Sequence, residues 1–244
     1  MIILSVGMPR AGSGWYYNLT NDLILAAGGQ DARRIRKQYH LQRILTEVNC
    51  NIGALTARRL GMVLIPAVFG NTFVIKAHAG PTPFAMQVIR RGMLRAAYIY
   101  RDPRDAMLSA YENGRKALEK GRPNAFSHLI DFDTSLNFIE SYVHISQAWM
   151  HCPHALHTRY EDLLTNYASE ADRLAQFLDL DPENPAVRQV IDKYRPAEAA
   201  NTEQKGLHFS KGKTGRFRQK YTLQEQAILV ERLGDYLREM EYGL

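Results

Sequence analysis

Two residues that could catalyse a reaction, Lys76 and His78, stand at the end of an apolar run in the stretch FVIKAHAGP. Side chains alternate along a strand, so both would lie on one side of it, near its carboxyl end. A histidine can take a proton at neutral pH, and a lysine can stabilise negative charge on a leaving group. The alternative for His78 is a satisfied, partly buried histidine. The pair indicates group-transfer chemistry, provided that other residues bring an anionic substrate to the same edge.

A glycine-studded loop, SVGMPRAGSGW at residues 5–15, follows the first apolar run and precedes an apparent helix. Small residues let backbone N–H groups point inward together, and the helix N-terminus adds a partial positive charge. Ser13 offers a hydroxyl, Arg10 a charge-assisted contact, and Trp15 a flat face for stacking a base. The Walker pattern fails, because Ser13 stands where that motif requires lysine. We expect an anion site here, the alternative being a plain tight turn.

A third stretch, YIYRDPRDAMLSAY, places Arg101 at the carboxyl end of another predicted strand. Ser109 follows about two helical turns later, on a face that could turn back toward Arg101. The two side chains could therefore converge on a second anion. The alternative is a salt bridge between Arg101 and an acidic neighbour, with Ser109 an ordinary helical serine.

The elements that must hold these turns alternate between strand and helix along the chain. Strands are predicted at 2–6, 72–76, 96–100 and 155–158. Helices are predicted at 15–27, 32–49, 52–60, 81–92, 103–118, 134–150, 161–178, 183–194 and 222–240, with long loops at 119–133 and 195–221. This order predicts one α/β domain over residues 1–244, with a central parallel sheet, helices on both faces, and ligands at the carboxyl ends of the strands.

The composition indicates an anionic partner, since 244 residues carry a net charge of +6. The basic residues are scattered without a long tail, which argues against nucleic acid. Cys50 and Cys152 are the only cysteines, and no apolar run approaches the length of a membrane span, so we expect a cytoplasmic enzyme with reduced thiols and no membrane span. The stretch HCPHALH (151–157) lacks a second ligand cluster, so no metal site is expected.

Four stretches together resemble the sulfotransferases that use 3'-phosphoadenosine 5'-phosphosulfate (PAPS). PRAGSGW is similar to the 5'-phosphosulfate loop of that family, and YRDPRDAMLSAY to its 3'-phosphate segment, where an arginine and a serine eight positions later bind the ribose 3'-phosphate. RYEDLL (159–164) is similar to the stretch whose tyrosine lies at the adenine, and KGKTGRF (211–217) to the late loop that closes on the 3'-phosphate. Arg10 stands where the family commonly has lysine, Gly14 where it has a hydroxyl residue, and Phe217 where it has tryptophan.

The resemblance implies a P-loop-like sulfotransferase architecture, PAPS as donor, adenosine 3',5'-bisphosphate (PAP) as product, and no metal. The donor-binding residues that it implies are Arg10, Ala11, Gly12, Ser13, Gly14, Trp15, Arg101, Ser109, Tyr160, Lys211 and Gly212. The spacing of Lys76 and His78 resembles the family's Lys-Thr-His, in which the histidine is the base. We therefore expect His78 to act as general base while Lys76 and Arg10 stabilise the leaving phosphate.

Two other functions stay open at this point. One is a P-loop nucleotide or small-molecule kinase that depends on ATP and magnesium, and the other is a catalytically idle module that binds PAP. The acceptor, a hydroxyl or an amine, cannot be read from the residues. We expect segments 32–66 and 119–133 to form its walls, with linings at Tyr39, His40, Phe69 and Phe126.

Overall fold

The computed structural model describes residues 1–200 and 212–244 of the chain, with nothing stated for the side chains of residues 199 and 200. The strands within these residues are β1 (Ile2–Gly7), β2 (Phe73–Ala77), β3 (Leu94–Tyr100) and β4 (Ala155–Arg159). The helices are α1 (Ser13–Ala26), α2 (Ala32–Gln38), α3 (Ala57–Val68), α4 (Pro83–Arg90), α5 (Pro103–Glu119), α6 (Phe132–Met150), α7 (Tyr160–Thr165), α8 (Tyr167–Phe177), α9 (Pro185–Lys193), α10 (Pro196–Ala200), α11 (Phe217–Lys220) and α12 (Leu223–Glu239).

The four strands form one parallel sheet in the order β2-β1-β3-β4. Strand β1 is buried along its whole length and reads as an apolar run, as strands covered on both faces do. Its residue Ser5 lies level with Lys76 of β2 and Ala97 of β3. All carboxyl ends therefore meet at one edge of the sheet, and the predicted parallel α/β architecture is confirmed.

Helices cover both faces of the sheet. On one face, helices α2, α3 and α4 pack against the even-numbered residues of β1, such as Leu4, with Leu60 and Trp149 in the same cluster. On the other face, helices α1, α8 and α9 pack against Ile3 and its neighbours. A third apolar cluster joins α5, α6 and α12 around Ile139. These clusters hold the strand-to-helix turns in place at the carboxyl edge.

Several predicted helix boundaries are wrong, and a left-handed residue and a helix cap explain two of them. The predicted helix 32–49 ends at Gln38, because His40 adopts a left-handed conformation with φ of 53°. The next helix begins at Ala57 rather than at residue 52. The Thr56 hydroxyl caps this helix by accepting from the N–H of Arg59. The predicted helix 161–178 is divided into α7 and α8.

The segment between α2 and α3 lies beside the edge strand β2. Lys76 N–H donates to Cys50 O at 3.2 Å, and Ile52 N–H donates to Lys76 O at 2.9 Å. These two bonds form a parallel bridge between Asn51 and Lys76. They bring residues 46–51 to the carboxyl edge of the sheet, where a helix had been predicted.

Candidate active site

A cleft of about 820 Å³ lies at the carboxyl edge of the sheet. One side of the cleft is formed by the turns after β1, β2 and β3, by the start of α7 and by the segment after residue 211. It carries the residues predicted to bind the sulfuryl donor and is called the donor side below. Among the described residues that line it, five side chains are cationic: Arg10, Lys76, Arg101, Lys213 and Arg216. Glu47 is the one carboxylate in that lining. Such an excess of cations suits a ligand that carries several negative charges.

The turn after β1 needs unusual backbone conformations. Arg10 has φ of 67° and Gly12 has φ of 76°, both in the left-handed region. A Cβ atom on Gly12 would lie 2.6 Å from Cδ2 of Tyr160, so the ring can approach the loop only at a glycine. No side chain among the described residues caps the N-terminus of α1. The turn therefore presents the positive end of a helix dipole to the cleft.

The guanidinium of Arg101 ties three distant turns together. Its Nη1 donates to Arg10 O at 3.1 Å and its Nη2 to Lys213 O at 2.9 Å. It lies over the ring of Tyr160 at 4.4 Å and 3.6 Å from the carboxylate of Asp105. The buried Nε atom of Arg101 has no hydrogen-bond partner among the described residues. The Nε–H group of Arg101 is thus available to donate a hydrogen bond to a ligand.

Ser109 lies in the same cleft, and its hydroxyl accepts a hydrogen bond from Nε of Arg10 at 3.2 Å. The predicted convergence of Arg101 and Ser109 at one site is therefore present. So is the salt bridge that was the alternative reading of Arg101, with Asp105 as the acidic neighbour.

Asp105 fixes the late segment against the cleft, a role that the sequence reasoning missed. The carboxylate is 1% exposed and accepts from Gly215 N at 2.5 Å and from Phe217 N at 3.1 Å. These bonds hold Gly212 and Lys213 in the cleft lining. The only signal in the sequence was the i, i+4 spacing of Arg101 and Asp105. The predicted donor contact Lys211 lies outside the described residues.

His78 is held in one tautomer by the turn after β1. Its Nδ1 lies 2.6 Å from Gly7 O, and because a carbonyl oxygen can only accept, Nδ1 carries the proton. In the neutral ring, Nε2 therefore has a free lone pair. Burial and then the charge of Lys76 lower the pKa of His78 to about 4, although the bond to Gly7 opposes the shift. The ring is neutral at physiological pH and able to accept a proton.

Lys76 points from β2 into the same cleft and is 5% exposed. Burial and then the charge of Arg10 lower its pKa to about 8. Within the described residues no carboxylate forms an ion pair with its ammonium group. A buried cation without a counter-ion is costly, and an anion bound in the cleft would remove that cost.

Comparison with known proteins adds the family. The sulfotransferase-domain family model matches residues 2–232. The chain belongs to the sulfotransferase family. It is a sulfotransferase enzyme, so the family match favours the sulfotransferase over the kinase and the idle binding module. No curated protein sequence matches the chain.

Two solved structures share the fold of this sulfotransferase. Mouse sulfotransferase SULT7A1 complexed with PAP is 15% identical, with 97% of this chain and 84% of that chain covered and a TM-score of 0.62. Retinol dehydratase in complex with androsterone and inactive cofactor PAP is 18% identical, with 97% and 80% covered and a TM-score of 0.62. At these identities the likeness is one of fold, and the site must be argued from its own residues.

Two aromatic residues, Trp15 and Tyr160, line the donor side of the sulfotransferase cleft. Trp15 is fully buried, is stacked on Tyr167 at 5.8 Å, and donates its indole N–H to Tyr194 O at 2.9 Å. Tyr167 covers one face of the indole, and Trp15 is among the residues that line the cleft, so its contact with the adenine stays a prediction. Trp15 also packs edge-on against Tyr160 at 6.4 Å. Tyr160 lines the cleft, and its contact with adenine stays a prediction.

The far wall of the cleft is aromatic and only partly as predicted. Phe126 lines it, in a T-shaped contact with Phe138 at 5.9 Å, and Tyr142 lies 5.0 Å beyond Phe138. The other predicted linings are not among the cleft residues: Tyr39, His40 and Phe69. Phe69 is 73% exposed, and the Tyr39 hydroxyl accepts from Asn71 at the far end of α3. Segment 32–66 contributes residues 46–49 and Asn51 instead.

The remaining sequence features lie apart from the cleft. In the stretch HCPHALH, His151 bonds Gln147 O and His157 bonds Trp149 O. Within residues 1–200 and 212–244, no group of three or more metal-ligating side chains was found. In that same part of the chain, no helix combines the length and apolar character that a membrane crossing requires.

Proposed function

We propose that this sulfotransferase transfers the sulfuryl group of PAPS to a hydroxyl (or amine) of an acceptor, with His78 as general base. The observation that carries the proposal is the bond between His78 Nδ1 and Gly7 O, which fixes the lone pair on Nε2 in a cleft rich in cations. The fold neighbours SULT7A1 and retinol dehydratase were both crystallised with PAP, which supports the choice of donor.

The donor side fits a nucleotide with phosphate groups at both ends. PAPS would supply a sulfuryl group attached to a phosphate leaving group. The turn around Gly12, with the start of α1, suits the 5' end, where Lys76 and Arg10 can neutralise the phosphate. Arg101 and Ser109 suit the 3'-phosphate. The Nε–H of Arg101, which has no partner among the described residues, can donate a hydrogen bond to that phosphate. Tyr160, beneath the guanidinium of Arg101, offers a surface for the base.

On the acceptor side, the nucleophile of the acceptor would bind next to His78. The acceptor oxygen loses its proton to Nε2 while it forms a bond to sulfur, and the bond from sulfur to the phosphate oxygen breaks. The electron pair of that bond stays on the phosphate, so PAP leaves. A general base is most effective when its pKa lies near the working pH, and the pKa of His78 in the free protein is lower than that. The negative charge of the bound donor would raise the pKa of His78 toward the working pH.

Two experiments test this proposal. Calorimetry should detect PAP binding without metal ions, whereas a kinase would prefer ATP with magnesium. With labelled PAPS and a panel of hydroxyl and amine acceptors, His78→Ala should lower kcat by about 10²- to 10⁴-fold and leave PAP affinity close to that of the wild type. His157→Ala is the matched control, because His157 also bonds a backbone carbonyl but does not line the cleft. Near-wild-type turnover of His78→Ala would reject the base assignment.

A further inference from the structure

The segment that follows α12 folds back toward the donor side of the cleft. Glu241 has left-handed backbone with φ of 55°. The N–H of Tyr242 donates to Leu237 O at 2.8 Å, and that of Glu241 donates to Arg238 O at 3.2 Å. These two bonds form a Schellman motif, which ends the helix and reverses the chain. As a result Tyr242 is directed inward and is buried.

The Tyr242 hydroxyl contacts a carboxylate that borders the donor site. It donates to Oε2 of Glu161 at 3.0 Å, while the guanidinium of Arg159 lies over the tyrosine ring at 4.2 Å. The other oxygen of Glu161 accepts from the backbone N–H of Asp102 at 3.2 Å. Burial raises the pKa of Glu161, and the hydrogen bonds from its partners, Tyr242 among them, oppose that rise. The tyrosine thus helps to keep this carboxylate ionised and in place.

A second contact joins the same segment to Asp102. Gly243 O accepts from Nη2 of Arg104 at 2.7 Å. The same guanidinium donates from Nε and Nη2 to the carboxylate of Asp102, at 3.0 and 2.9 Å. Asp102 in turn caps α5 by accepting from the N–H of Arg104 at 3.0 Å. Residues 242 and 243 therefore reach Glu161 and Asp102 by separate routes.

Glu161 and Asp102 are the chain neighbours of Tyr160 and Arg101, which line the cleft. Tyr242 itself is not among the cleft residues. We propose that Tyr242 is a positioning residue for donor binding: through Glu161 it holds Tyr160 and the turn that carries Arg101 in the geometry that binds the 3'-phosphoadenosine end of PAPS. This inference rests on the proposed function. It predicts that loss of the Tyr242 hydroxyl weakens donor binding and leaves acceptor binding unchanged.

The test compares two buried tyrosine hydroxyls that belong to the same part of the chain. Tyr242→Phe removes the bond to Glu161, whereas Tyr236→Phe removes a bond to Ser146 Oγ of 2.8 Å, away from the cleft. We expect Tyr242→Phe to weaken PAP binding about fivefold to tenfold in calorimetry and to raise the KM for PAPS by a similar factor. The acceptor KM of Tyr242→Phe at saturating PAPS should stay within about twofold of wild type. The PAP affinity of the control, Tyr236→Phe, should also stay within about twofold of wild type.

A double-mutant cycle with Glu161→Gln tests the route of the effect. If Tyr242 acts through Glu161, the loss of PAP affinity caused by Tyr242→Phe shrinks in the Glu161→Gln background. Should Tyr242→Phe fold poorly, Glu161→Gln alone must still weaken PAP binding. Equal PAP affinities of Tyr242→Phe and Tyr236→Phe, or additive effects in the cycle, would overturn the positioning role. If the wild-type protein fails to bind PAP, the proposed function fails first, and this role fails with it.

Discussion

The lowered pKa of His78 gives a measurable prediction in the free protein. Burial and the charge of Lys76 set that pKa at about 4, well below the ordinary value of histidine. At pH 5.5 a group with that pKa is about 3% protonated, whereas an ordinary histidine with a pKa of about 6.5 would be about 91% protonated. The His78 ring should thus stay neutral in a range where unperturbed histidines become charged.

Nuclear magnetic resonance can follow this ring directly. The carbon-bound ring protons of the eight histidines are recorded from pH 7.5 to 4.5, and the signal absent from His78→Gln is assigned to His78. We expect that signal to keep its position down to about pH 5. Lys76→Met should raise the pKa of His78, but only in part, because burial is the larger cause. Bound PAP should raise it as well, because the phosphate offsets the charge of Lys76.

The result that would refute this reasoning is a His78 signal that titrates in the free protein with a midpoint near that of an ordinary histidine. Water would then reach the ring freely, and burial would not hold the pKa of His78 low. A pKa of His78 that is unchanged in Lys76→Met would contradict only the electrostatic part of the explanation.

Three further predictions concern the two sides of the cleft. Lys76, whose pKa is lowered to about 8, loses its proton above that pH, so PAP affinity should fall about tenfold between pH 7.5 and 9.5, and this fall should be absent in Lys76→Met. Gly12→Ala should weaken PAP binding at least about tenfold, because its Cβ would meet Tyr160 at 2.6 Å, whereas Gly28→Ala, also left-handed but in open space, should not. Tyr142→Ala should raise the acceptor KM about tenfold with PAP affinity within about threefold of wild type, and an equal loss of PAP affinity would contradict its place on the acceptor wall.

The sheet edge that carries the site could be predicted from the sequence because its rule is general. Parallel strands end at one edge, so the turns after β1, β2 and β3 had to meet whatever the details of their packing. The alternation along FVIKAHAGP correctly assigned Lys76 and His78 to one cleft for the same reason.

The remaining parts of the site depend on tertiary contacts that leave little trace in the sequence. Residues 46–51 reach the cleft because they bridge to β2, although their pattern suggested a helix. The burial of Trp15 depends on α8 and α9, which come more than 150 residues later. The inward turn of Tyr242 needs a left-handed Glu241, a residue type that rarely signals such a conformation.

The two carbonyl groups held by Arg101 belong to residues 91 and 112 positions away from it in the chain. Contacts of such long range form late in folding, after the loops between them have closed. A fragment that does not span residues 10–213 lacks at least one of the two carbonyls or the guanidinium, so a molecule truncated within that range would not assemble this junction. Retention on an immobilised nucleotide would consequently separate fully folded molecules from incompletely folded ones in a single preparation.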